Sequence, residues 1–222
     1  MTVCESLRKE LRTINAELSL DDYSRCIRHL ELVRKWNQSM NLTSVRTFDD
    51  MLSKHLFDSL SIVEHIADKP RSCRQRIADL GSGAGFPGIP IAMALPNSHV
   101  VLVDASAKKT QFLTHVAAQL NLANVEVIHQ RIQDMSISRR FDTVVARALG
   151  SVRAIVKLSA HLAKSDSRIL VMKGRYPMQE IKELGQQFDC AVKNISVPRL
   201  DAKRHLVIIT RKKKKKERVS DG

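Results

Sequence analysis

From residue 77 onward the sequence alternates between two apolar patterns. Short β-branched runs occur at IADL (77–80), HVVLVD (99–104), VEVIHQ (125–130), FDTVVARAL (141–149) and RILVMKG (168–174), and stretches of helical spacing follow them at 89–95, 108–120, 151–162 and 178–187. Strand–helix alternation at this spacing implies a parallel sheet wrapped by helices. The last two apolar runs, AVKNISV (191–197) and RHLVIIT (204–210), are separated only by PRLDAK. Two consecutive strands joined by a turn pair antiparallel, so the sheet gains one reversed strand at or near its edge.

Before residue 70 the spacing is helical throughout. Leu7, Leu11, Ile14 and Leu18 recur three and four apart, as do Cys26, Leu30 and Val33, and then Met51, Leu52, His55, Leu56 and Leu60. Asp21 is the expected N-cap of a long amphipathic helix. The expected organisation is therefore a helical region over 1–70, a sheet domain over 71–210, and a basic tail over 211–222. The tail is too like-charged to pack and is expected to be disordered.

Charge narrows the class of partner. The formal net charge is +14, of which the final twelve residues carry +5, leaving +9 on the body. A basic body of this kind implies a polyanion, with nucleic acid ahead of a membrane surface because no basic amphipathic helix stands out. Aromatic content of 4% argues against a base-stacking platform for single strands. No apolar run is long enough to span a bilayer, and the N-terminal residues lack a signal-peptide core, so a cytoplasmic protein is expected. Cys4, Cys26, Cys73 and Cys190 show no metal-ligand or CxxC spacing, so reduced thiols and no metal are expected.

The candidate ligand site is RIADLGSGAGFPGIP (76–90), with four glycines in eight positions directly after a strand. Glycine lets backbone approach a ligand and tolerates φ > 0. Ligands of open α/β sheets sit at the carboxyl ends of strands, where this loop lies. Asp104 ends the next strand and suits ribose hydroxyls of either a dinucleotide or another adenosine cofactor. Three details favour the latter. Asp79, inside the strand end, would repel a pyrophosphate and attract a cation. The spacing Gly81-x-Gly83-x-Gly85 departs from G-x-G-x-x-G. Pro87 and Pro90 remove N–H groups that phosphate oxygens would use. These details favour S-adenosyl-L-methionine over a nicotinamide dinucleotide.

The pairing of DLGSGAGFPGIP with LVDASAKKTQFL, then VVARAL and MKG, resembles the bacterial small-subunit ribosomal RNA guanine-N7 methyltransferases, the glucose-inhibited division protein B family. KWNQSMNLTSVR (35–46), KHLFDSL (54–60) and KRHLVIIT (203–210) extend the resemblance over about residues 20 to 210. The resemblance implies a class I methyltransferase fold: a Rossmann-like doubly wound sheet, mostly parallel with one antiparallel strand, behind a helical N-terminal region. It implies methylation of N7 of a guanine in the helix-18 loop of 16S rRNA, on the small subunit or an assembly intermediate; a monomer is the default expectation. The alternative is a small-molecule or other-RNA methyltransferase using the same cofactor.

Carried over to these positions, Gly81, Gly83, Gly85 and Phe86 contact or admit the cofactor from the glycine loop. Asp104, Ala105 and Ser106 lie by its ribose and adenine, and Ile132 and Gln133 frame the adenine. The family pattern usually has Ala-Glu at these last two positions, so Gln133 keeps a hydrogen-bonding amide and loses a charge. Arg147 stands beside the methionine end or the target base, and Lys173 is the candidate RNA contact. Guanine N7 carries no proton, so the reaction needs no general base, only alignment and electrostatic stabilisation. His55, Asp58 and Ser59 have the residue types of a hydrolase triad, but one helix surface cannot place them in relay; packing or an RNA or lid contact is expected of them. Trp36, Asn37 and Asn41 read as RNA contacts, or for the tryptophan as a core anchor. Lys108 and Lys109 read as phosphate contacts or solvated charges.

Overall fold

The computed structural model describes residues 9–14, 16, 18–66, 74–136 and 140–212. Its first long helix, α1 (Leu20–Met40), is capped by Ser19, whose hydroxyl accepts the Asp22 N–H. The expected cap, Asp21, instead lies in the first helical turn with Asp22. There a carboxylate complements the positive end of the helix dipole, which is why both residue types crowd this boundary. At its far end Asn41 turns left-handed, and the buried Asn37 amide bonds both N–H and C=O of Thr43 at 2.9 Å. Asn37 is therefore a staple for the following loop.

A broken helix comes next: α2 (Phe48–Met51), a π-helical turn (Leu52–Phe57), α3 (Asp58–Leu60) and α4 (Val63–Ile66). Sequence periodicity predicts a single phase here. The π turn holds an extra residue per turn and rotates the helical residues after it, so Asp58 and Ser59 point inward and are buried.

The remainder alternates as expected: β1 (Arg76–Leu80), α5 (Gly88–Ala94), β2 (His99–Asp104), α6 (Ala107–Gln119), β3 (Val125–His129), β4 (Phe141–Arg147), α7 (Val152–Ser159), β5 (Ala163–Lys173), α8 (Met178–Lys182), β6 (Phe188–Ile195) and β7 (Arg204–Arg211). A 3-10 turn spans Ile132–Asp134. Some boundaries move. β5 begins at Ala163, not Arg168, and α8 ends at Lys182, not Gln187, where Gly185 starts the turn into β6. β4 stops at Arg147 because Ala148 and Gly150 take positive φ.

The sheet order is β3-β2-β1-β4-β5-β7-β6. All pairings among the first five strands are parallel, and β7 runs antiparallel between β5 and β6. Central strands are buried on both faces, as parallel strands covered by helices must be, while β6 at the edge alternates. One face of the sheet, including Ile77, Leu102, Val145 and Leu206, shares a single apolar core with α1, the π turn, α5 and α6. The other face, including Leu80, Val103 and Ala146, packs on Val152, Ile155 and Val156 of α7. The helices before residue 67 thus have no core separate from the sheet's. The expected boundary at residue 70 and nearly all of the expected disordered tail lie outside the described residues. No helix among the described residues is long and apolar enough to cross a membrane.

Candidate active site

Strand order reverses between β2-β1 and β4-β5, so the carboxyl ends of β1, β2 and β4 open at the switch point where such sheets bind ligands. The glycine loop leaves β1 there. Gly81, Gly83 and Gly85 have φ of 72°, 58° and 89°, conformations that side chains with a Cβ rarely adopt. Ser82 locks the loop to both strands: its hydroxyl donates to Asp79 O (2.9 Å) and accepts the Val103 N–H (3.0 Å). Gly81 N–H donates to Val103 O at 2.8 Å.

Two carboxylates bracket this loop. Asp104 accepts the Gly83 N–H on one oxygen and the Ser106 N–H on the other, both at 2.9 Å. Backbone donors thereby fix its orientation and leave further lone pairs free for hydroxyls. Asp79 accepts the Gly88 N–H at 3.0 Å on Oδ2, while its Oδ1 is buried without a hydrogen-bond partner. Burial pushes its carboxyl up to about 6, against the Gly88 hydrogen bond and the nearby Arg147 charge. A buried carboxylate with an orphaned oxygen invites a cationic group.

Gly81, Asp104, Ala105, Ile132, Gln133 and Arg147 line one cleft of about 380 Å³. Lys109 lines it as well, whereas Lys108 is exposed. Ile132 is buried and Gln133 exposed at the rim. Ser106 joins the site through its backbone. Gly85 and Phe86 face inward: a Cβ on Gly85 would meet Ile89 at 2.7 Å, and the Phe86 ring lies between His29 (centroids 4.5 Å apart) and His55 (4.7 Å). Left-handed glycines, an anchored carboxylate at the β2 end and an unsatisfied carboxylate oxygen suit an adenosine cofactor with a cationic end. Gly81, Asp104, Ala105, Ile132 and Gln133 could hold the nucleoside, and Asp79 the cation.

Arg147 separates this cleft from a second, of about 400 Å³, lined also by Lys54, His55, Asp58, Lys173 and Arg204. Asp58 is the organising residue here. Its Oδ2 accepts from Arg147 Nη1 at 3.0 Å and its Oδ1 from Arg204 Nε at 3.1 Å, with 4% of the side chain exposed. Arg147 also donates to the Lys54 carbonyl at 3.0 Å and lies 5.7 Å over the Phe86 ring. Lys173 Nζ reaches the Gly150 carbonyl (2.8 Å) and Glu180 (2.8 Å).

The two histidines stay neutral. His29 donates from Nε2 to the Ala84 carbonyl at 2.9 Å, and burial pushes its pKa down to about 4. His55 donates from Nδ1 to the Lys54 carbonyl and accepts the Thr43 hydroxyl on Nε2. Burial, then the Arg147 charge, push it down to about 4. Ser59 donates to the His55 backbone carbonyl, so His55, Asp58 and Ser59 form no relay, as expected. Trp36 packs on Phe112 and His115, anchoring α1 to α6. No cluster of three or more metal-ligating residues occurs among the described residues.

Sequence reasoning missed Asp58 as the arginine clamp and His29 as the lower ring of the stack. His29 was legible as a neutral core histidine, since it falls on the Cys26, Leu30, Val33 stripe. Asp58 was hidden by the phase change of the π turn.

Known proteins share both the sequence and the fold. The ribosomal RNA small subunit methyltransferase G of Nitrosomonas europaea is 40% identical over 216 residues, 94% of this chain and 98% of that protein. The protein of the same name from Chromobacterium violaceum is 41% identical over 202 residues, covering 90% and 94%. The crystal structure of magnesium protoporphyrin IX methyltransferase from Synechocystis PCC 6803 with bound SAM has a TM-score of 0.59 at 19% identity, covering 82% of this chain and 97% of that one. That likeness is one of fold, the class I methyltransferase sheet. A family model matches residues 22–207, from the start of α1 into the last strand, and the chain belongs to that family, GidB, the rRNA small subunit methyltransferase G.

Proposed function

We propose that the protein transfers a methyl group from S-adenosyl-L-methionine to N7 of a guanine in the helix-18 loop of 16S rRNA, in the small ribosomal subunit or an assembly intermediate. Its family makes it an S-adenosyl-L-methionine-dependent methyltransferase of small-subunit ribosomal RNA. The observation that carries the finer reading is Arg147, the shared wall of two clefts, one suited to an adenosine cofactor and the other ringed by Lys54, Lys173 and Arg204. A methyl group has to pass between two such sites, and polyanionic RNA suits the second.

When bound, the cofactor supplies a methyl group on a sulfonium cation. Asp79 would hold the cofactor's ammonium, Asp104 its ribose, and Ile132 and Gln133 its adenine. Arg147 and Lys173 would hold the base or its phosphate, leaving N7 in line with the methyl. N7 has an in-plane lone pair and no proton, so the neutral, hydrogen-bonded His55 need not act as a base. Holding Arg147 and Arg204 on one carboxylate restrains positive charge beside a sulfonium, while both guanidinia keep donors for O6 or phosphate. Alignment of two bound partners can supply about 7 to 11 kcal/mol of the barrier at best. A basic tail after residue 211, a monomeric state and a cytoplasmic location complete the reading.

Incubating the protein with labelled cofactor and undermethylated 30S subunits, then mapping the modified base, tests it. Label at N7 of a helix-18 guanine is expected. Label elsewhere, or turnover without ribosomal material, would overturn it.

A further inference from the structure

We propose that Tyr176 is a stacking platform for an unpaired nucleobase of the RNA substrate, next to the base that enters the second cleft. The inference rests on the proposed ribosomal RNA methylation and adds a contact which that reading does not contain.

Among the described residues the exposed large hydrophobics are Leu20, Tyr176 and Met178, at 51%, 54% and 60%. Two of the three sit on one segment, after β5. That segment starts at Lys173 and Gly174, which line the second cleft, and Arg204 of the same cleft precedes His205 on β7. His205 lies opposite Lys173 in the antiparallel register. The Tyr176 ring meets His205 at 5.5 Å and 90°. An edge contact fixes the ring while more than half of the residue stays in water.

The segment is pinned at both ends. Lys173 binds the Gly150 carbonyl and Glu180, and Glu180 accepts the Val152 N–H at 2.7 Å. Pro177 between them is buried, and its carbonyl accepts the Ile181 N–H. An apolar ring held on such a mount presents a surface at little entropic cost.

Its surroundings select the occupant. Arg175 and Lys203 are exposed in the same two segments, and Lys54, Arg147, Lys173 and Arg204 ring the cleft. One tyrosine and one methionine are far short of the roughly 800 Å² per partner of a stable protein interface. They match the π-face of a single base, whose neighbouring phosphates the cations would meet. A base entering a cleft leaves its neighbour unstacked, and an aromatic face at the rim replaces the lost stacking. The low aromatic content excludes an extended platform, not this one ring.

The test uses the full chain with two readouts. In methylation of undermethylated 30S subunits, Tyr176→Ala is expected to raise KM about tenfold, within what one base stack contributes. Tyr176→Phe and Tyr176→Trp should stay within about twofold of the parent, because stacking needs the ring and not the hydroxyl. S-adenosylhomocysteine affinity and unfolding temperature should not change. In the second readout Tyr176→Trp is placed in a Trp36→Phe background, and protein-free 16S rRNA should quench its fluorescence. Equal KM for the Ala, Phe and Trp variants, or no quenching, would overturn the proposal. A parent protein that methylates no helix-18 guanine would refute the underlying functional reading, and the quenching result would still decide on Tyr176.

Discussion

Asp79→Asn should improve the free protein while damaging the site. The Asp79 carboxyl is 1% exposed and pushed up to about 6, from the 3.8 of an unburied aspartate. A rise of that size means that keeping this group ionised costs roughly 3 kcal/mol at neutral pH. Asparagine removes that cost and keeps an oxygen for the Gly88 N–H. It also places an amide NH2 where Oδ1 finds no partner, a penalty of about 1 to 3 kcal/mol. The net change at pH 7 is then between about zero and 2 kcal/mol of stabilisation. The pH dependence carries a definite sign. A carboxyl whose folded pKa is raised binds its proton first in the folded state, so the Asp79 contribution to wild-type stability rises as pH falls from 6 towards 4, opposite in sign to that of the two histidines. The variant lacks that gain, and its stability relative to wild type should fall by about 2 to 2.5 kcal/mol between pH 7 and pH 4. Urea unfolding across this range measures the difference directly. S-adenosylhomocysteine, whose ammonium would meet Asp79, should bind the variant about 10- to 100-fold more weakly, as expected for a lost charge-assisted contact. A variant destabilised at pH 7 that binds S-adenosylhomocysteine normally would refute the argument.

Asp58→Asn should lower turnover on 30S subunits at least about tenfold while leaving S-adenosylhomocysteine affinity within a few-fold, since both arginines lose their common counter-charge; steady-state kinetics with calorimetry separates the two effects. Gly88→Ala should cost about 2 to 3 kcal/mol, because a Cβ there would lie 2.2 Å from Leu102 Cδ2 and 2.6 Å from Asp79 Oδ2, whereas Gly174→Ala, with Arg204 Nη1 at 3.7 Å, should be nearly neutral in thermal unfolding. His29 and His55 are both held near 4 and ionise first in the unfolded chain, so their contribution is lost as pH drops from about 6.5 to 4. Replacing His29 with Gln should flatten that acid-side loss by about one proton's worth, roughly 1.4 kcal/mol per pH unit, which urea unfolding at pH 6.5, 5.5 and 4.5 would register.

The sheet was legible because its signals are local. Each β-branched run bounded by helical spacing gives a strand, and the six-residue connection before RHLVIIT leaves no room for a crossover helix, so β7 had to reverse. Helix ends were less legible. Ser19, Asp21 and Asp22 are all good residues for a helix start, and only geometry decides which one caps. The face that each helix covers was not legible. Periodicity identifies which residues are apolar, not which face they cover, and Leu30, Val33, Leu56 and Phe57 turn out to bury against the same sheet face as Ile77 and Leu102. A change of secondary-structure class along the chain does not imply a change of core.

The site divides along similar lines. Gly81, Asp104, Ile132 and Gln133 line one cleft; the glycine loop and Asp104 stood out by their positions at strand ends, while Ile132 and Gln133 entered only through the family resemblance. Asp58 was not legible, because its meaning depends on Arg147, 89 residues later in the chain, and Arg204, 146 later. Yet the chemistry requires such a partner. A methyl transfer to a ring nitrogen without a proton leaves no acid–base pair to find, so the catalytic residues are those that fix positions and balance charge. An arginine able to face both a sulfonium and an RNA base must be held in one orientation and partly neutralised, or it repels the first while binding the second. A carboxylate buried among apolar residues does both, and it is stable there only because two guanidinia are bound to it. On the proposed reading, the helical region that supplies Asp58 belongs to the active site, and removing it should abolish methyl transfer even where the glycine loop survives.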